Sequence, residues 1–152
     1  MKIPEPEHYL RVAWMVALNL SKDPETKVGA VLVTPDGRQS SIGYNGLPSG
    51  LHEPESRWER PEKYEWVIHA ELNAVINSPF DTRGCTIYIT HQPCHRCLGL
   101  MRNAGISEIY YSISFRGTEM ETSKCAETAK LFRKVSKYSI DGEFLEGLKA
   151  LY

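Results

Sequence analysis

The sequence predicts an α/β fold in three layers, α/β/α, built on a five-strand mixed sheet. Three observations carry that expectation. "KVGAVLV" and "SSIGY" flank the turn "TPDGR", which reads as a hairpin. After the hairpin strand-like and helix-like stretches alternate, which implies parallel crossovers. A chain of 152 residues with no internal repeat, low-complexity tract or linker suits a single domain over residues 1–152.

The elements follow in order. "EHYLRVAWMVALNLSK" spaces Tyr9, Ala13, Trp14, Val16, Ala17 and Leu20 as one face of a helix, ended by Asp23-Pro24. "KVGAVLV" (27–33) is short, β-branched and nearly all apolar, as a strand buried on both faces should be. Pro35 and Gly37 supply the turn chemistry before the return strand "SSIGY". Residues 45–65, with Pro48, Pro54, Pro61 and many charges, read as one long loop, a length unusual in a small domain unless the segment is functional or disordered. "IHAELNAVIN" is a helix beginning near His69, "CTIYIT" (85–90) a strand, and "CHRCLGLMRNA" a helix capped by Gly105. "SEIYYS" is a strand, "SKCAETAKLFRKV" a helix, "SKYSI" a short strand and "GEFLEGLKALY" a closing helix.

Composition narrows the function. At 41% hydrophobic and 24% charged, the chain should fold rather than stay disordered. A net charge of -1 and no run of lysines and arginines argue against a duplex or transfer-RNA binder. The longest apolar run is too short for a membrane helix, and "MKIPEPEHYL" has no apolar signal core. Four cysteines, two of them three residues apart, favour a metal site in a reducing compartment, so the cytoplasm is the expected location.

Cys94 and Cys97 in "HQPCHRC" form half of a metal clip. Pro93 precedes the helix that carries them, and the partly positive helix start favours thiolates. Their spacing puts both sulfurs on one face. A catalytic zinc uses three protein ligands and leaves a fourth position for water, so one more ligand is needed. His95 lies between the cysteines on another face, and His91 at the end of the preceding strand is able to approach. His69 stands in "HAE", where Glu71 follows two residues on. A histidine that holds the ion beside a carboxylate that handles the water's protons is what metal-assisted hydrolysis needs.

"HAE" followed by "PCHRC", with a strand between them and each before a helix, resembles the signature of the zinc-dependent nucleobase deaminases, H-x-E…P-C-x-x-C. "SKDPETKVGAVLV", "GYNGLPSG", "HAELNAV" and "GISEIYYS" make the chain similar to the cytidine and deoxycytidylate (dCMP) deaminase family in particular, from about Trp14 to Tyr111. The resemblance implies a cytidine-deaminase-like domain that hydrolyses dCMP to dUMP and ammonia for thymidylate synthesis. It implies Zn²⁺ on His69, Cys94 and Cys97, with Glu71 as proton shuttle. Asn45, Ala70, Phe115 and Arg116 are the expected substrate contacts, Asn45 at the sugar, Phe115 on a base and Arg116 at a phosphate. Ser21, Lys22, Lys27, Asn45 and Gly46 are the expected contacts of a triphosphate regulator, dCTP activating and dTTP inhibiting, with Mg²⁺. A homohexamer is implied by resemblance alone. The family's pattern between the cysteines is often acidic, whereas this chain has His95-Arg96.

Cys85 and Cys125 read as inert thiols, and the loop holding His52 lacks the cysteine a second zinc would use. Tyr64 and Trp66 read more as packing than as ligand contacts, and "YNG" is also a plain turn signal. Alternative functions are another zinc deaminase, for free cytidine, guanine or transfer-RNA adenosine, and a non-catalytic nucleotide sensor with structural zinc.

Overall fold

The structure is a computed structural model that describes residues 2–114 and 117–152. Helix α1 (Glu5–Leu20) leads into strands β1 (Gly29–Val33) and β2 (Ser40–Tyr44). A 3₁₀ turn (Glu55–Trp58), α2 (Glu62–Trp66) and α3 (Ala70–Ile76) follow. The rest alternates: β3 (Thr86–His91), α4 (His95–Asn103), β4 (Glu108–Ile113), α5 (Glu119–Ala129), β5 (Lys134–Lys137) and α6 (Gly142–Lys149). The five strands form one sheet in the order β2-β1-β3-β4-β5. β1 runs antiparallel to both β2 and β3, and β3, β4 and β5 are parallel. The mixed sheet, the hairpin and the crossovers expected from the sequence are all present.

All five residues of β1 are buried, because helices cover both faces of the sheet at that strand. On one face Leu10 and Ala13 of α1 pack on Val31, Val33 and Tyr88. On the other, Ala70 and Ala74 of α3 and Leu98 and Met101 of α4 pack on Ala30, Leu32, Ile87 and Ile89. Two glycines of the hairpin set the spacing of these layers. A Cβ on Gly29 would overlap the carbonyl oxygen of Ala13, and one on Gly43 would overlap the Ala70 oxygen and the Ala74 amide. Their missing side chains let α1 and α3 lie directly on the hairpin, and Ser41 Oγ donates to the Ala74 oxygen at 2.7 Å to fix α3 there.

Several boundaries differ from the sequence expectation, each for a local reason. α1 stops at Leu20, before Asp23-Pro24, because Ser21 turns extended and its hydroxyl bonds to Asn45 Oδ1 at 2.7 Å. Residues 45–65 are not one open loop: they hold the 3₁₀ turn and α2, anchored by buried Trp58 and Lys63. α5 begins four residues early, since Thr118 Oγ1 accepts from the Glu121 amide as an N-cap. It ends at Ala129, and β5 starts at Lys134, because the intervening turn buries Phe132 in the core. At the end of α4, Gly105 (φ 84°) donates to the Arg102 oxygen and Ile106 to the Met101 oxygen, the Schellman closure that favours glycine. Among the described residues no helix is long and apolar enough to cross a membrane.

Candidate metal and active site

α3 and α4 start at the same cleft. His69 is the N-cap of α3 and Cys94 the N-cap of α4, both with extended backbones, and Glu71 and Cys97 lie in the two first turns. What aims His69 is the residue before it. Ile68 exchanges two backbone hydrogen bonds with Gly46, at 2.8 and 3.1 Å, so the "GYNG" loop and the entry to α3 form one short bridge. β3 then delivers Pro93 and Cys94 from its carboxyl end to the same point.

The ligand atoms of His69, Cys94 and Cys97 all lie within 4.8 Å of one another. His69 Nδ1 is 3.2 Å from Cys97 Sγ and 3.8 Å from Cys94 Sγ. A tetrahedral zinc with sulfur at about 2.3 Å and nitrogen at about 2.05 Å separates two such donors by about 3.6 Å. The two distances bracket that value, so the cluster's spacing suits a zinc ion. Its donor set, one imidazole and two sulfurs, suits zinc better than magnesium or calcium, which want oxygen.

The three groups also tune one another. The Cys97 thiol donates to Cys94 and, with His69, holds the Cys94 thiol down to about 3 against the effect of burial. Hydrogen bonding to Cys94 and then to Glu71 raises His69 to about 10. Cys97 is pushed up, first by Cys94 and then by burial. Glu71 is buried, with its side chain 4% exposed and Oε1 3.7 Å from His69 Nδ1. The other histidines stand apart from this cluster. His91 Nδ1 lies 2.7 Å from Thr90 Oγ1 and its ring packs on Trp14, and His95 Nδ1 faces Glu121 Oε1 at 3.7 Å.

His69 and Cys94 line a cleft of about 670 Å³, large enough for a nucleotide. Ala70, Glu71 and Asn45 share its lining. Asn45 is buried and its amide makes four hydrogen bonds: Oδ1 accepts from Ser21 Oγ and the Val28 amide, and Nδ2 donates to the Thr26 oxygen and to Asp23 Oδ2. Lys27 Nζ donates to the Ser21 oxygen at 2.6 Å, and Lys22 pairs with Glu53 at 3.3 Å on the surface. Phe115 and Arg116 lie outside the described residues.

The sequence did not point to Asp23 and Lys63. Both are buried in the cleft wall, and Lys63 Nζ donates to the two Asp23 carboxylate oxygens at 3.0 and 3.3 Å. Burial raises the Asp23 pKa, but the amides of Thr26 and Glu25 and the Lys63 ammonium outweigh it, and the net value is lowered. Lys63 sits among alternating charges in a segment read as loop, and nothing in its spacing marks it as buried.

Residues 4–113 match the family described as the cytidine and deoxycytidylate deaminase zinc-binding region. The chain belongs to this family. The match ends at the carboxyl end of β4 and so contains both helix starts, where His69, Cys94 and Cys97 converge. Among similar proteins, the deoxycytidylate deaminase of Mus musculus is 37% identical over 146 residues, 88% of this chain and 82% of that protein. The deoxycytidylate deaminase of Homo sapiens is 39% identical over 113 residues, 70% of this chain. This chain spans 63% of the length of the human protein. The crystal structure of the dCMP deaminase from cyanophage S-TIM5, in complex with dCMP and dUMP, superposes with a TM-score of 0.72 at 29% identity, covering 91% of this chain and 99% of that one. The cytidine-deaminase-like fold expected from the sequence is thus the fold observed.

Proposed function

We propose that the chain catalyses dCMP + H₂O → dUMP + NH₃. The observation that carries this reading is Glu71, a buried carboxylate that faces the cleft 3.7 Å from the nitrogen of a metal-ligand histidine. A nucleotide sensor with structural zinc has no use for that group. The relatives named deoxycytidylate deaminase, and the cyanophage enzyme's complex with dCMP and dUMP, support dCMP over other nucleobases. The absence of a basic run in the sequence argues against transfer-RNA adenosine.

His69, Cys94 and Cys97 would hold the zinc. When bound, such an ion supplies Lewis acidity that makes water nucleophilic near neutral pH. Glu71 takes the proton of the attacking water and passes it to N3 of cytosine as C4 becomes tetrahedral. It later delivers a proton to the amino group that leaves. The Glu71 side chain is only 4% exposed, which limits its contact with bulk water. Asn45 and Ala70 are proposed to border the bound nucleotide, and Phe115 and Arg116 remain sequence-based proposals for base and phosphate.

The family resemblance extends the proposal to activation by dCTP and inhibition by dTTP, with Mg²⁺ on the triphosphate, and to a cytoplasmic homohexamer. Ser21, Lys22, Lys27, Asn45 and Gly46 are the proposed effector contacts. The test is ammonia release from dCMP, CMP, deoxycytidine, dCTP and an adenosine RNA hairpin. dCMP is expected to have the highest kcat/KM, and a clear preference for any other substrate would overturn the reading.

A further inference from the structure

We propose that Arg96 binds the 5′-phosphate of the nucleotide and thereby sets the preference for a monophosphate over a free nucleoside. The inference rests on the deaminase reading above and on a census of the cleft's charges. Three long cations line the cleft: Arg60, Lys63 and Arg96. Lys63 is held by the Asp23 carboxylate at 3.0 Å. Arg60 pairs with Glu25 at 3.4 Å and lies over the Tyr64 ring. Arg96, among the described residues, makes no hydrogen bond or ion pair.

Its position suits a phosphate. Arg96 lies in the first turn of α4, between the two metal cysteines, and that turn has no acidic residue. A guanidinium there adds to the partly positive helix start, and its planar fork matches two phosphate oxygens. The cytosine ring must stand beside His69 and Glu71 for chemistry at C4, so the phosphate, at the far end of the nucleotide, lies toward the rim. Arg96 is exposed, rooted beside the cluster and long enough to reach outward from it.

The test measures binding rather than turnover. Zinc-loaded E71Q protein is titrated with dCMP and with deoxycytidine by calorimetry, alone and combined with R96Q, R96K, R60Q or R116Q. R96Q is expected to weaken dCMP about ten- to hundredfold, the range of a hydrogen-bonded charge, and deoxycytidine by less than about threefold. R96K should recover part of the loss, since an ammonium keeps the charge without the fork. An equal loss for both ligands, or a loss confined to R60Q or R116Q, overturns the assignment. If the E71Q parent, with zinc in place, binds neither ligand, the nucleotide reading itself fails and Arg96 falls with it. If the parent binds both and R96Q leaves their ratio intact, only the Arg96 proposal fails.

Discussion

One wall of the cleft is formed by the starts of α3 and α4, the other by Asp23, Thr26, Asn45 and α2, with Ser21 bonded behind them. On the first wall His69, Cys94 and Cys97 converge at spacings of 3.2 and 3.8 Å that suit a shared ion, with Glu71 beside them. On the second, Ser21, Asp23, Asn45 and Lys63 spend their hydrogen bonds on one another. Burial is similar, since Glu71, Asp23, Asn45 and Lys63 are all at most 6% exposed. Polar burial therefore does not by itself mark the chemistry. Convergence does: one wall presents its donors to a common point, and the other closes them into a scaffold that holds the first wall's loops in place.

The sharpest way to break the comparison is to remove a metal donor. H69A, C94A and C97A are each expected to lose nearly all zinc, and activity with it, because two remaining donors make a poor site. H91A and H95A should keep the metal, since neither histidine belongs to the cluster. Metal analysis by plasma emission reads the outcome, and a normal zinc content in H69A would refute the assignment. Next in size is E71Q. It should retain zinc and lose about a hundred- to ten-thousandfold in turnover, because the amide preserves shape but cannot carry the proton. More than about a tenth of native activity would mean that another group moves the protons.

The second wall should respond in stability rather than in metal content. K63M leaves Asp23 buried without its cation, a change that typically removes about 3–5 kcal/mol. For a chain of this size that is a drop in Tm of about 6–20 °C. Zinc per folded chain should not change. The double variant D23N/K63M should regain part of the loss, since no charge is then stranded. A pH series adds the sign. Asp23 has a folded pKa below its ordinary 3.8, so its contribution is fully present above that value and is lost as pH falls through the lower folded pKa. Calorimetric Tm measured downward from pH 5 should fall more steeply for the native chain than for D23N.

These two walls were not equally legible in the sequence. "HAE" and "PCHRC" announce their wall because ligand chemistry demands particular residue types at short spacings, and both pieces fall at helix starts that periodicity locates. The β1–β2 hairpin was legible for the same kind of reason, since Pro35 and Gly37 mark its turn. The Asp23–Lys63 pair spans 40 residues and joins a turn to a helix hidden in a charged segment. No local pattern encodes a contact of that separation. α2 itself was missed because five residues are too few to show a helical period. The early start of α5 has a local signal, Thr118 with Glu121 three residues later, but it is weaker than the more apolar run that follows.

The smallest expected effect lies at the outer edge of the second wall and sharpens the comparison where it bears on regulation. Lys22 is 72% exposed at its side chain, and its pair with Glu53 spans 3.3 Å at the surface. Such pairs contribute about 0–1 kcal/mol, so K22A should shift Tm by no more than about 2–4 °C. Lys27 differs: its ammonium is half-buried and tied to the Ser21 oxygen, so K27A disturbs the turn itself. If a triphosphate acts at this wall, K22A should weaken the response to dCTP and dTTP while Tm holds, because only the exposed lysine is able to leave its partner for a ligand at little cost. The measurement is dCMP saturation with and without each triphosphate. A sigmoidal curve that dCTP makes hyperbolic in the native chain, and less so in K22A, would make the exposed edge a regulatory surface. Curves already hyperbolic and indifferent to both triphosphates would leave the wall as scaffold throughout, with its bonded polar groups serving the shape of the cleft alone.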